Sequence, residues 1–241
     1  MQAPQKRLVF STHVNNAQAL ASLGHTGQEL GDSLRNRFAS IAAACEEELQ
    51  AFGTWRVYDV QDQNYTADGT PVVKLAGTSL ALPGSSMQGY LEHANKVFLF
   101  ACTLGPKADR KLAELQATNP LDALLYSACA NTCIESAAEQ LQNLAAQVAR
   151  EKGLFARMRF SPGYGDLPIS IQEDFLGAIN AQKMLGISTT PSHFMTPSKS
   201  ISAVIGLYSR REHAKDYALC SECAACDYCS YHAKGTTCYG N

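Results

Sequence analysis

No stretch of the chain approaches the roughly 18 consecutive apolar residues that a membrane-spanning helix needs. Met1 to Phe10 likewise holds no apolar run of signal-peptide length. A basic excess is also missing: 20 Lys and Arg stand against 22 Asp and Glu, giving a formal charge of −2. Neither nucleic acid nor a membrane is therefore an expected partner. Phosphate-cradling motifs are absent, since neither G-x-G-x-x-G nor G-K-[ST] occurs. The chain offers no Ser-His-Asp set and no paired-carboxylate site, and His13, His25, His93, His193 and His213 are not paired at metal-ligand spacing. No internal repeat and no long linker interrupts it.

What remains is a globular composition, 46% hydrophobic and 17% charged, in 241 residues. That length suffices for one sizeable core with an appendage. Without an export signal, the nine cysteines read as thiols or metal ligands rather than disulfides, and the expected compartment is the cytoplasm. Cys129 and Cys133, one helical turn apart, read as core thiols.

Apolar residues stepping by threes and fours from Leu30 to Phe52 predict a helix within 26–52, with Glu46 to Glu48 on its solvated face. Short β-leaning runs follow at 55–60 and 71–82, separated by a turn at Ala67 to Thr70. Val97 to Ala101 reads as a buried strand, and Gly105-Pro106 starts a short helix to about Gln116. The clearest element is a long helix capped by Asn119, with Pro120 in its first turn and Gly153 closing it. A β-leaning run at 155–160, a helix from about 171 to 185 stopping at Gly186, and a strand from Ile201 to Tyr208 complete the pattern. Strands and helices mix without regular βαβ alternation, so α+β is predicted over a doubly wound sheet.

Two stretches carry chemistry. Arg159-Phe160-Ser161-Pro162-Gly163-Tyr164-Gly165 places a guanidinium three residues before a Pro-Gly-Tyr-Gly turn. Arg159 can grip a carboxylate bidentately, Tyr164 offers a ring face to a cation or heterocycle, and the glycines let bare backbone approach a ligand. The tail reads Cys220-x-x-Cys223-x-x-Cys226-x-x-Cys229, then Cys238. Cysteines at three-residue intervals point to a metal. Three close thiolates and a remote one suit a [4Fe–4S] cluster, with Cys229 or Cys238 as fourth ligand after Cys220, Cys223 and Cys226. Alternatively, four of the five hold zinc, with His232 able to replace one sulfur.

Arg159 to Gly165 resembles the R-x-x-P-G-Y signature of the activation domain of cobalamin-dependent methionine synthase. Lys183-Met184-Leu185-Gly186-Ile187 and Ser192 to Ser202 are similar to that family's K-x-I-G-[MI] and S-x-x-M-x-P-x-x-S-[VI]-S blocks. The resemblance spans roughly 90–208. Two features depart from it: Val204 and Ile205 stand where the family has aromatic residues, and a cysteine-rich tail is added.

The resemblance implies a curved antiparallel sheet flanked by helices. The chain is expected to divide into an activation-domain-like part over residues 1–218, helical at its N-terminal end to about 55, and a metal-binding tail at 219–241. It implies S-adenosylmethionine at Arg159, Ser161, Gly163, Tyr164 and Gly165, Arg159 taking the carboxylate. Asp166 is expected only to cap the helix that follows. The implied role is a free-standing activation subunit. It would support reductive methylation of cob(II)alamin on a separate methionine synthase or other corrinoid protein. The electron would come from a flavodoxin-type donor or from the tail, which favours iron–sulfur over zinc. The alternative is a corrinoid-protein activator or electron-transfer partner that uses the tail cluster and does not bind adenosylmethionine.

Overall fold

A computed structural model of the chain describes residues 6–67 and 69–214. Its sheet is antiparallel throughout. β1 (Leu8–Ser11) pairs with the start of β2 (Gln50–Tyr65), and β3 (Pro71–Leu75) takes over the same edge of β2 further along. A register irregularity between positions 60 and 63 bends β2 where β3 joins it. β4 (Ala81–Pro83) extends that side. On the other side lie β5 (Ala94–Thr103), then β9 (Ser200–Tyr208), then the short β6 (Phe155–Ala156). β7 (Ser188–Thr189) and β8 (Met195–Thr196) form a separate hairpin.

Both sheet faces are covered. On one face Phe98, Phe100 and Cys102 of β5 and Ile205 of β9 pack beneath three helices: α1 (Asn16–Ser22), α2 (Asp32–Glu48) and α5 (Pro120–Glu151). α4 (Pro106–Thr118) flanks α5. The alternate residues Val97, Leu99 and Ala101 face a second core. That core is filled by α3 (Ser85–Tyr90), α6 (Gln172–Ala178) and α7 (Ala181–Leu185). This two-sided burial is why β5 reads as a continuous apolar run rather than an alternating one.

α5 is the long element of the fold, 32 residues or about 48 Å at 1.5 Å per residue. Asn119 Oδ1 accepts from the Asp122 amide at its start, and Gly153 follows its end with φ +68°. Its buried face is rich in alanine, including Ala130, Ala137, Ala138 and Ala145, which lets the helix lie close to the sheet. Gly53 marks that closeness. A Cβ there would come within 2.8 Å of the Phe10 ring and 3.0 Å of the Leu141 side chain. Cys129 and Cys133 are fully buried in this layer, as expected of core thiols.

Three boundaries differ from the sequence reading. The 26–52 stripe is a helix only over Asp32–Glu48. Leu49 is its extended C-cap, and Phe52 already belongs to β2. The N-terminal part is thus not wholly helical, since β1 and the start of β2 lie within it. The 171–185 helix is two helices, because Asn180 takes a left-handed conformation (φ 50°) between α6 and α7. The run at 155–160 is a two-residue strand that re-enters the sheet at Phe160, which exchanges two 2.8 Å backbone bonds with Val204.

Candidate functional site

One face of α5 carries Ser127, Asn131, Glu135 and Gln142 at helical spacing, so these side chains form a polar row. The turn after β6 and the segment entering β9 each place one cation against that row. Arg159 Nη2 donates to Glu135 Oε2 at 2.7 Å, and its Nη1 donates to Gln142 Oε1 at 3.3 Å. Lys199 Nζ donates to Ser127 Oγ at 2.9 Å and to Asn131 Oδ1 at 2.7 Å. Burial pushes the Lys199 ammonium below its ordinary value, with Asp109 opposing. The Cys102 thiol lies beneath, fully buried. Burial pushes it up, the Glu135 carboxylate adds to that, and Arg159 opposes it.

The turn itself is held by its own backbone. The Gly163 amide donates to Leu167 O at 2.9 Å, Tyr164 to Ser161 O at 3.1 Å, and Leu167 to Tyr164 O at 3.0 Å. Gly163 and Gly165 have φ of +92° and +53°, a region that side chains other than glycine rarely adopt. Gly165 also packs tightly: a Cβ would sit 2.8 Å from Ser86 Oγ and 3.0 Å from Ser86 Cβ. Pro162 and Leu167 are buried and anchor the turn, while the Tyr164 ring is 57% exposed. Asp166 does cap a helix, but one far upstream. Its carboxylate accepts from the Ser85 and Ser86 amides at 2.6 and 3.0 Å, which fixes the turn to the start of α3.

The second block is positioned by equally specific contacts. Ser202 Oγ accepts from Gln172 Nε2 at 2.7 Å in a buried pair, and Ser200 Oγ bonds Thr103 Oγ1 at 2.8 Å. Ser198 donates twice to Asp109 of α4. His193 occupies the β7–β8 hairpin loop with φ 64°, a backbone position rather than a ligand position. Val204 and Ile205 are fully buried, one in each core, so neither side chain reaches the surface beside Arg159.

The structure thus brings Arg159 together with Ser161, Gly163, Tyr164 and Gly165 on one turn. It adds two partners that the sequence reading missed, Glu135 and Gln142. Their signal was weak: only the spacing of polar residues on an otherwise apolar helix. Arg159 and Glu135 side by side make a matched pair for an α-amino-acid group, a guanidinium for its carboxylate and a carboxylate for its ammonium. The cysteines Cys220, Cys223, Cys226, Cys229 and Cys238 lie outside the described residues. Among the described residues no group of three His, Cys, Asp or Glu is placed to hold a metal ion, and no helix is long and apolar enough to cross a membrane.

No protein-family model and no curated protein sequence matches the chain. A solved structure does: the crystal structure of the MetH reactivation domain bound to AdoHcy. It is 16% identical, has a TM-score of 0.63, and the match covers 98% of this chain and 87% of that one. The chain therefore has the fold of the MetH reactivation domain, a curved antiparallel sheet flanked by helices.

Proposed function

We propose that this chain binds S-adenosylmethionine in the groove between the 159–165 turn and α5, and presents it to a corrinoid carried by a separate polypeptide. Support comes first from the Arg159–Glu135 pair at 2.7 Å, beside a turn whose glycines leave backbone uncovered. Its likeness in fold to a domain solved with AdoHcy, a molecule with the same nucleoside and amino-acid ends, points the same way.

The residues suit that ligand. Arg159 takes the carboxylate and Glu135 the ammonium, while Gln142 holds the guanidinium in plane through its 3.3 Å bond. Ser161, Gly163 and Gly165 line the groove, the Gly163 amide staying engaged with Leu167 O, and the exposed Tyr164 ring lies against the sulfonium or the adenine. When bound, adenosylmethionine supplies an electrophilic methyl group for reductive methylation of cob(II)alamin on a methionine synthase or other corrinoid protein. The chain's own part is proximity and orientation, and no proton moves in that exchange. It needs no general base, in keeping with a groove whose underlying thiol, Cys102, is buried and pushed up.

In this reading residues 1–218 are the activation-domain part. The thiolates Cys220, Cys223, Cys226, Cys229 and Cys238 hold an iron–sulfur cluster that passes an electron, or a zinc ion that staples the tail. A flavodoxin-type donor supplies the electron in the zinc case. The protein acts in the cytoplasm. The buried aliphatic side chains of Val204 and Ile205 favour a second reading, a corrinoid activator that does not bind adenosylmethionine.

Calorimetric titration with adenosylmethionine separates the two. Saturable binding supports the first, and a flat titration of folded protein leaves only the second. Anaerobic purification followed by iron, sulfide and zinc analysis assigns the tail.

A further inference from the structure

The sheet face opposite α5 carries a second polar site. Arg56 lies mid-strand on β2, in register with the fully buried Leu99 and so on the face that α6 and α7 cover. A guanidinium on such a face calls for a partner or for water. Among the described residues Arg56 has no ion pair. Its contacts are Tyr58 Oη and Ala178 O, both at 3.5 Å, beyond the usual hydrogen-bond range.

Around it opens a cleft of about 750 Å³, within the size range of small-molecule sites. Thr78 lines it, its hydroxyl oxygen accepting from the Leu80 amide at 3.2 Å. Lys183, Glu173 and Asp174 line it as well, and none of them forms an ion pair among the described residues. Two cationic and two acidic side chains thus line one cleft without pairing to one another, and the lining is balanced in charge.

That balance selects the ligand. An oxyanion fits the Arg56 fork, but a dianionic phosphate would be repelled by Glu173 and Asp174. A molecule carrying one carboxylate and one ammonium satisfies both sets. We infer that this cleft binds a free α-amino acid, its carboxylate on Arg56 and its ammonium toward Glu173 and Asp174. The site shares no residue with the Arg159 site, whose guanidinium bonds to Glu135 and Gln142 of α5 on the other side of the sheet.

The test is calorimetry of the full chain against the free proteinogenic L-amino acids, their N-acetyl and decarboxylated counterparts, and inorganic phosphate. At least one free amino acid is expected to bind saturably, with its N-acetyl and decarboxylated forms weaker by roughly tenfold or more. Arg56→Gln should remove that binding. The doubly substituted variant Glu173→Gln/Asp174→Asn, at two exposed positions, should weaken it about tenfold. Arg159→Ala should leave it intact, and the Glu173/Asp174 variant should bind adenosylmethionine as wild type does. The inference is overturned if no amino acid binds, or if phosphate or the N-acetyl acid binds as well as the free amino acid. It is equally overturned if binding survives both cleft variants or disappears with Arg159→Ala. A protein that fails to bind adenosylmethionine yet passes these tests would refute the proposed function and leave this site standing.

Discussion

Arg159 and Glu135 are 24 residues apart in sequence, yet a guanidinium nitrogen of one lies 2.7 Å from a carboxylate oxygen of the other. Arg159 is only 20% exposed and Glu135 51%. The two charges are therefore already held together in the folded chain rather than assembled by a ligand. Pre-placing both charges reduces the ordering cost when a zwitterionic group arrives.

Glu135→Gln keeps the shape and removes the charge that would face an ammonium. Adenosylmethionine affinity is expected to fall about tenfold or more, since a hydrogen bond to a charged group contributes about 1.5–3 kcal/mol. Thermal stability should change little, because Glu135 is half exposed. Calorimetry beside a melting curve checks both, and unaltered affinity would remove Glu135 from the site.

Gly165 carries two constraints at once, a left-handed backbone and a Ser86 side chain where a Cβ would go. Gly165→Ala should destabilise the fold by about 1–2 kcal/mol. Urea unfolding of the variant against wild type measures the difference. A neutral result would mean that the turn relaxes freely.

Asp122 and Arg37 join the start of α5 to α2 in a two-pronged ion pair. The hydrogen bond from Arg37 holds the Asp122 carboxyl below its ordinary value, with burial opposing. A carboxyl depressed in the folded state adds stability above its unfolded pKa of about 3.9, and loses it as pH falls through the lower folded value. Wild type should therefore exceed Arg37→Gln in urea midpoint at neutral pH, and the gap should close below about pH 4. A gap that widens on acidification would contradict the assignment.

How much of this was legible depended on how local each cause is. Asn119, Pro120 and Gly153 bracket α5 by chemistry that acts within one turn, and the helix lies between them. β5 was legible because burial on both faces makes its whole length apolar. The stripe from Leu30 to Phe52 misled because Leu49, the extended C-cap, and Phe52, in β2, happen to continue the helical step. The tertiary pairing of Phe52 with Thr103 overrides it. The break at Asn180 had a local signal, since asparagine tolerates the left-handed region, but the surrounding apolar period masked it. In the candidate site, the Arg159 turn was readable as a turn. Glu135 was not readable as its partner, because only the packing of the 157–160 segment against α5 brings them together. Asp166 has the chemistry of a helix cap, but the helix it caps, α3, begins about 80 residues earlier.

The most direct test of the account is titration of adenosylmethionine into wild type and Arg159→Ala under identical conditions. Saturable binding to wild type, weakened at least tenfold in a variant that melts normally, is the expected result. Equal binding by the two proteins, or none by wild type, would contradict it.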